Sequence, residues 1–106
     1  CYDKKWEHMN AWAFADFTLL KELYENPGDH AGAWETSHLL ASHPECVDLS
    51  RAEKELQYGI ISARDPLESS AEFGNRTYDD AARIAVKMVR ERLEHPELYS
   101  GHGMPL

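Results

Sequence analysis

Apolar residues recur at helical spacing in three stretches of this chain, and polar or helix-breaking residues separate them. Over residues 10–25, Ala13, Phe17, Leu20 and Tyr24 fall on one stripe, with Trp12, Leu19 and Leu23 beside it. This spacing predicts a helix with an apolar face wide enough to be covered on more than one side. Asn26, Pro27 and Gly28 end it, because proline lacks a backbone donor and disfavours helical geometry in the residue before it. A loop follows over residues 29–34. A second helix is expected from Glu35 or Thr36 to about His43 and Pro44, turning Leu39 and Leu40, with Cys46 and Val47, toward a core. Residues 48–74 read mostly as loop, and their one strand-like run is 58–62. In the last third Thr77 can cap a helix whose Asp79 and Asp80 sit at the positive dipole end. Ala82, Ala85, Val86, Val89 and Leu93 follow at helical spacing, predicting a long amphipathic helix to about His95, stopped by Pro96. Residues 97–106 should be irregular, and no repeat or linker marks a second domain.

Composition narrows the partners. A chain of 106 residues, 42% of them hydrophobic, fits one domain or a piece of one. The formal charge of −8 and the absence of a Lys/Arg cluster oppose binding to nucleic acid or to an anionic membrane surface. No apolar run reaches the ~18 to 20 residues of a membrane span, and no signal segment opens the sequence, so the expected setting is cytoplasmic. Cys1 and Cys46 make no disulfide framework and are expected to be reduced. A first residue that is cysteine and not methionine predicts that upstream residues were removed or omitted. That removal could be trimming, or a maturation cut in which the Cys1 thiol attacks the preceding carbonyl and leaves a second chain.

The chemistry concentrates in Gly28-Asp29-His30-Ala31-Gly32-Ala33-Trp34-Glu35-Thr36-Ser37, a loop leading into a helix N-terminus. Glycines let backbone approach a ligand closely, and the exposed amides of the following helix favour negative charge. An imidazole titrates near neutrality, so His30 can accept and then donate a proton in amide hydrolysis, with a neighbouring carboxylate to orient it. The same residue types also suit a plain helix start, in which Asp29 and Glu35 cap backbone amides and His30 is solvated. Glu35 and His38 have the Glu-x-x-His spacing of carboxylate di-iron bundles, but no second such pair exists. His43 and His95 each precede a proline at a helix end, a routine structural place for imidazole.

His30-Ala31-Gly32-x-x-Glu35-Thr36-Ser37, followed by Leu39, Leu40, Pro44, Val47, Asp48 and Leu49, resembles the His-(Ala/Gly)-Gly-x-x-Glu-Thr-Ser signature and trailing helix of the creatininase family. The likeness runs through residues 27–49, and Ser70-Ala71-Glu72-x-Gly74 with the last helix resembles the family's C-terminal end more loosely. It implies that His30 is a catalytic acid/base and that Glu35 shares its pocket. It further implies that Asp29, Gly32, Trp34 and Trp6 line the substrate site, although an aromatic such as Trp34 or Trp6, on or beside a predicted helix, is more often plain packing. The tryptophan that closes over creatinine in creatininase has no counterpart, since Asn26 and Pro27 stand there.

The resemblance implies an α/β fold, a three-layer αβα arrangement with a mainly parallel sheet. This chain would supply the C-terminal helices and at most a strand or two. Residues 1–106 would then be the C-terminal part of one domain, completed by an N-terminal half on a partner chain, the pair itself assembling further. The implied reaction is hydrolysis of a non-peptide C–N bond in a small-molecule cyclic amide or formamide, with two divalent metals, Zn, Mn or Fe, activating water. No metal ligand is assigned in this chain, although Trp6-Glu7-His8 has the composition of a family segment in which a histidine binds metal. Two rival readings are an N-terminal-nucleophile amidase using Cys1 and a non-catalytic structural subunit.

Overall fold

A computed structural model describes residues 12–52 and 58–99. Trp6, His8 and Cys1, named above as pocket, ligand and nucleophile candidates, lie outside the described residues. Three α-helices frame the described residues: α1, Asp16–Leu19; α2, Ala33–Ser42; and α3, Ala71–Glu94. Short 3-10 turns at Pro44–Cys46, Leu49–Arg51, Pro66–Glu68 and Pro96–Tyr99 carry the chain between and beyond them. The only β pairing among the described residues is a single antiparallel bridge between His30 and Ile61. The three-layer α/β architecture with a parallel sheet is therefore corrected to a helical arrangement. The strand-like run at 58–62 contributes one bridge residue and no strand, because only Ile61 finds a backbone partner.

Each helix departs from its predicted bounds for a local reason. In the first stretch helix ends at Leu19, and the chain continues as turns in which Leu20 O accepts from both Leu23 N and Tyr24 N. The turn carries Leu20 and Tyr24 inward. Phe14, Phe17 and Leu23 stay substantially exposed, so the wide apolar face has no cover among the described residues. Helix α2 starts two residues earlier than predicted, because Asp29 supplies acceptors for its free amides. Its inward face is Ala33, Trp34 and Ser37; Leu39 and Cys46 point out.

Helix α3 begins six residues before Thr77. Ser70 caps it by accepting from Phe73 N at 3.1 Å. Thr77 instead lies fully buried in the helix interior, its hydroxyl returned to the carbonyls of Phe73 and Gly74. The buried stripe is Phe73, Gly74, Thr77 and Ala81, with Ile84 against it. The stripe expected to face the core is the outer one: Val86 is 50% exposed, Val89 44% and Leu93 75%. Both stripes have helical spacing, and packing alone chooses between them. Helix α3 ends at Glu94 before Pro96, as its sequence predicts.

The α2–α3 crossing is close because both sides present small groups. A Cβ on Gly74 would overlap the Ser37 carbonyl and come within 2.9 Å of the Ala41 methyl. Ser37 returns its hydroxyl to Ala33 O and accepts from Ser70 N at 3.1 Å, so the buried hydroxyl is satisfied and ties the start of α3 to α2. Around this crossing Leu20, Trp34, Phe73 and Ala81 form the core, with Tyr24 and Ile84 packed against it. Trp34 meets Tyr24 and Phe73 edge to face, at ring-centroid distances of 5.4 and 5.3 Å.

Candidate functional site

The loop before α2 is built around the Asp29 carboxylate. Its Oδ2 accepts from Trp34 N at 2.7 Å and its Oδ1 from Glu35 N at 3.0 Å, covering two of the amides that a helix start leaves free. A third donor is the Ser62 hydroxyl, 2.9 Å from Oδ2. In return Glu35 Oε2 accepts from Ala31 N at 2.8 Å, giving the reciprocal pattern of a capping box. Gly32 is the residue at the N-cap position, and a Cβ there would collide with the Asp29 carboxylate and with Ser62. The Asp29 side chain thus occupies the space that a capping side chain at position 32 would need. Ala31 adopts φ 54°, a left-handed conformation that costs a non-glycine residue about 1–2 kcal/mol.

His30 sits at the crest of this loop. Its backbone donates to Ile61 O at 2.8 Å and accepts from Ile61 N at 3.0 Å, while its side chain is exposed. Of the residues singled out by sequence, the fold brings Asp29, His30, Gly32, Trp34 and Glu35 into one turn of chain. They do not all face one space. Trp34 is 6% exposed and belongs to the aromatic core, so its ring supports the loop from below and does not line a surface pocket. Asp29 and Glu35 both direct carboxylate oxygens at backbone amides, the arrangement of a helix start. Among the described residues no group of three His, Cys, Asp or Glu side chains could hold a metal ion. Cys46 is an exposed free thiol.

A second constellation was not foreseen in the sequence. His38 lies on α2 one turn beyond Trp34, with its Nε2 2.8 Å from Thr77 Oγ1 on α3 and its Nδ1 3.3 Å from Asp16 Oδ2 on α1. The Asp16 contact is close enough for charge attraction but is not aligned as a hydrogen bond, and that oxygen is buried without one. Tyr78 stacks on the imidazole at a centroid distance of 4.3 Å. Burial pushes the His38 pKa below its ordinary value, against the opposing pull of Asp16, Asp29 and Glu35. The order acid, imidazole, hydroxyl matches that of a nucleophile triad, but Thr77 Oγ is fully buried and already bonded to helix carbonyls. The constellation fastens α1, α2 and α3 to one another. The Glu-x-x-His spacing drew attention to His38 with the wrong partner; its place four residues after the buried Trp34 was the usable signal.

Compared with known protein families, curated proteins and solved structures, the chain shows no match to any of them. The likeness to the creatininase signature therefore rests on the residues of the motif themselves. Nor is any helix among the described residues long and apolar enough to cross a membrane.

Proposed function

We propose that this chain carries the proton-transfer histidine of a metal-dependent amidohydrolase, with His30 as the acid/base that delivers a proton to the leaving nitrogen of a cyclic amide or formamide. The observation that carries this reading is the contrast within one loop. The His30 backbone is hydrogen-bonded on both its N–H and its C=O, its neighbours are fixed by the Asp29 and Glu35 bonds, and its imidazole alone is left to solvent. A rigid backbone bearing a free imidazole, next to a residue held in the left-handed region, is what a positioned acid/base requires. The creatininase-like signature supplies the reaction class.

The role proposed for this chain is confined to proton transfer. The creatininase-like signature implies that the water-activating metals are held by an upstream half or a partner chain. The test is His30→Ala in the assembled enzyme, assayed by hydrolysis of a panel of cyclic amides and formamides. Turnover is expected to fall by about 100-fold or more with folding unchanged, the usual scale for losing a general acid/base. Unchanged turnover would remove His30 from the mechanism.

A structural reading is favoured by one specific observation, that both carboxylates of the motif cap backbone amides. Under it the motif is a rigid helix start that docks α2, and the His30→Ala chain would retain every activity of its assembly.

A further inference from the structure

The His30 loop is held from one side by its own helix and from the other by residues 61 and 62. Ile61 pairs with His30 through backbone alone, and the next residue, Ser62, reaches the loop through its side chain. Ser62 Oγ accepts from Arg64 N at 3.1 Å, and its single proton lies between Asp29 Oδ2 at 2.9 Å and Arg64 O at 2.8 Å. Its Cβ packs so closely on Gly32 that no side chain fits at position 32. Two adjacent residues therefore grip both ends of the stretch that contains His30. The backbone bridge fixes His30 itself, and the hydroxyl fixes the carboxylate that orders Trp34 N and Glu35 N.

From this geometry we infer that Ser62 is a positioning residue for His30, acting through Asp29 to fix the stretch of backbone from which the imidazole projects. The inference rests on the reading of His30 as the proton carrier. Ser62 touches no atom of the imidazole. Its influence runs from Oγ to the Asp29 carboxylate, and from there to the peptide that carries His30. A misplacement of about 1 Å from the productive geometry can cost roughly 100-fold in rate. A serine hydroxyl that closes a turn on the backbone two residues on is otherwise an ordinary surface group, yet this one is part-buried against the motif glycine.

The experiment compares the wild-type chain, Ser62→Ala and Ser62→Thr, each in its native assembly. Two readouts are taken: amide hydrogen exchange at His30 and Ala31, and the split of kcat from KM on an amide substrate whose hydrolysis depends on His30. Ser62→Ala is expected to speed exchange at His30 by about tenfold, as a locally opened loop does. It should also lower kcat by roughly tenfold to 100-fold with KM unchanged. Ser62→Thr keeps the hydroxyl and should bring both readouts back toward wild type. Should Ser62→Ala fail to fold, Ser62→Cys keeps the volume, weakens the donor and is read the same way. Unchanged exchange in the variant would overturn the assignment. So would faster exchange with unchanged turnover, since Ser62 would then hold a loop that does no chemistry. Failure of His30 as the proton carrier is read separately, from His30→Ala, and does not depend on exchange at Ser62 variants.

Discussion

Ala31 stores strain that one atom fewer would release. At φ 54° a Cβ crowds the following carbonyl, and glycine has none, so Ala31→Gly is expected to stabilise the protein by about 1 kcal/mol. Chemical denaturation of the two chains measures it directly. The Glu35-to-Ala31 hydrogen bond should persist, because it uses only backbone at position 31. His38 gives the matching pH experiment. Burial lowers its folded pKa below the ordinary 6.5, so as the pH falls the unfolded chain takes up this proton first. The stabilisation from keeping His38 neutral is thus complete above about pH 6.5 and declines as the pH drops toward the lowered folded value. Below that value both states are protonated and the slope vanishes. His38→Gln removes this increment, and denaturation midpoints from about pH 8 to about pH 5 should fall less steeply for the variant than for the wild type. An equal slope in both chains would place the acid sensitivity elsewhere.

At the scale of elements, Gly74 marks where α2 and α3 nearly touch. Replacing a helical glycine by alanine ordinarily gains up to about 1 kcal/mol, and Gly74 lies in the first turn of α3. Here the new methyl would overlap the Ser37 carbonyl, so Gly74→Ala is expected to destabilise by about 1 to 3 kcal/mol, read from urea midpoints. That single contact also explains what the sequence could and could not disclose. The existence of α2 and α3 and the stop at Pro96 follow from spacing and breakers, which act locally; the loop expected over 48–74 runs four residues too far, since α3 starts at Ala71. The inward face of α3 does not. Val86, Val89 and Leu93 make as good a stripe as Phe73, Thr77 and Ala81, and only the close approach at Gly74 and Ser37 decides which one is buried. The start of α3 was missed because Gly74 reads as a breaker and Thr77 as a cap, whereas Ser70 performs the capping. Within the motif, the capping of backbone amides by Asp29 and Glu35 was legible by type and spacing. Ser62 was not, since its partner lies 33 residues away and a serine in a loop carries no pattern. The sheet implied by resemblance was no reading of local pattern at all, and the described residues contain none.

Across the whole molecule the core is small and the outline long. The radius of gyration is 17.7 Å, against about 13 Å for a compact chain of this length. Among the described residues the buried hydrophobic side chains are Leu20, Ala33, Trp34, Phe73 and Ala81, while Val86, Val89, Leu93 and Leu98 remain outside. Residues 1–106 expressed alone are therefore expected to unfold with low cooperativity, to bind a hydrophobic dye and to associate as concentration rises. Replacing Val89 and Leu93 with Glu should suppress that association in sedimentation experiments while leaving helix content intact. A sharp, monomeric, two-state transition of the unaltered chain would contradict this account. The position of Trp34 has a practical consequence for all of these measurements. Its indole is walled in by Tyr24 and Phe73, and the His38 ring stands 5.7 Å away, centroid to centroid. An imidazolium is an efficient quencher of excited indole, and a neutral imidazole is a poor one. Of the three tryptophans in the chain, Trp34 should accordingly emit at the blue end of the tryptophan range and dim as His38 takes up its proton. Trp34→Phe should abolish that dimming, which makes the light from one side chain a gauge of whether the three helices are in place.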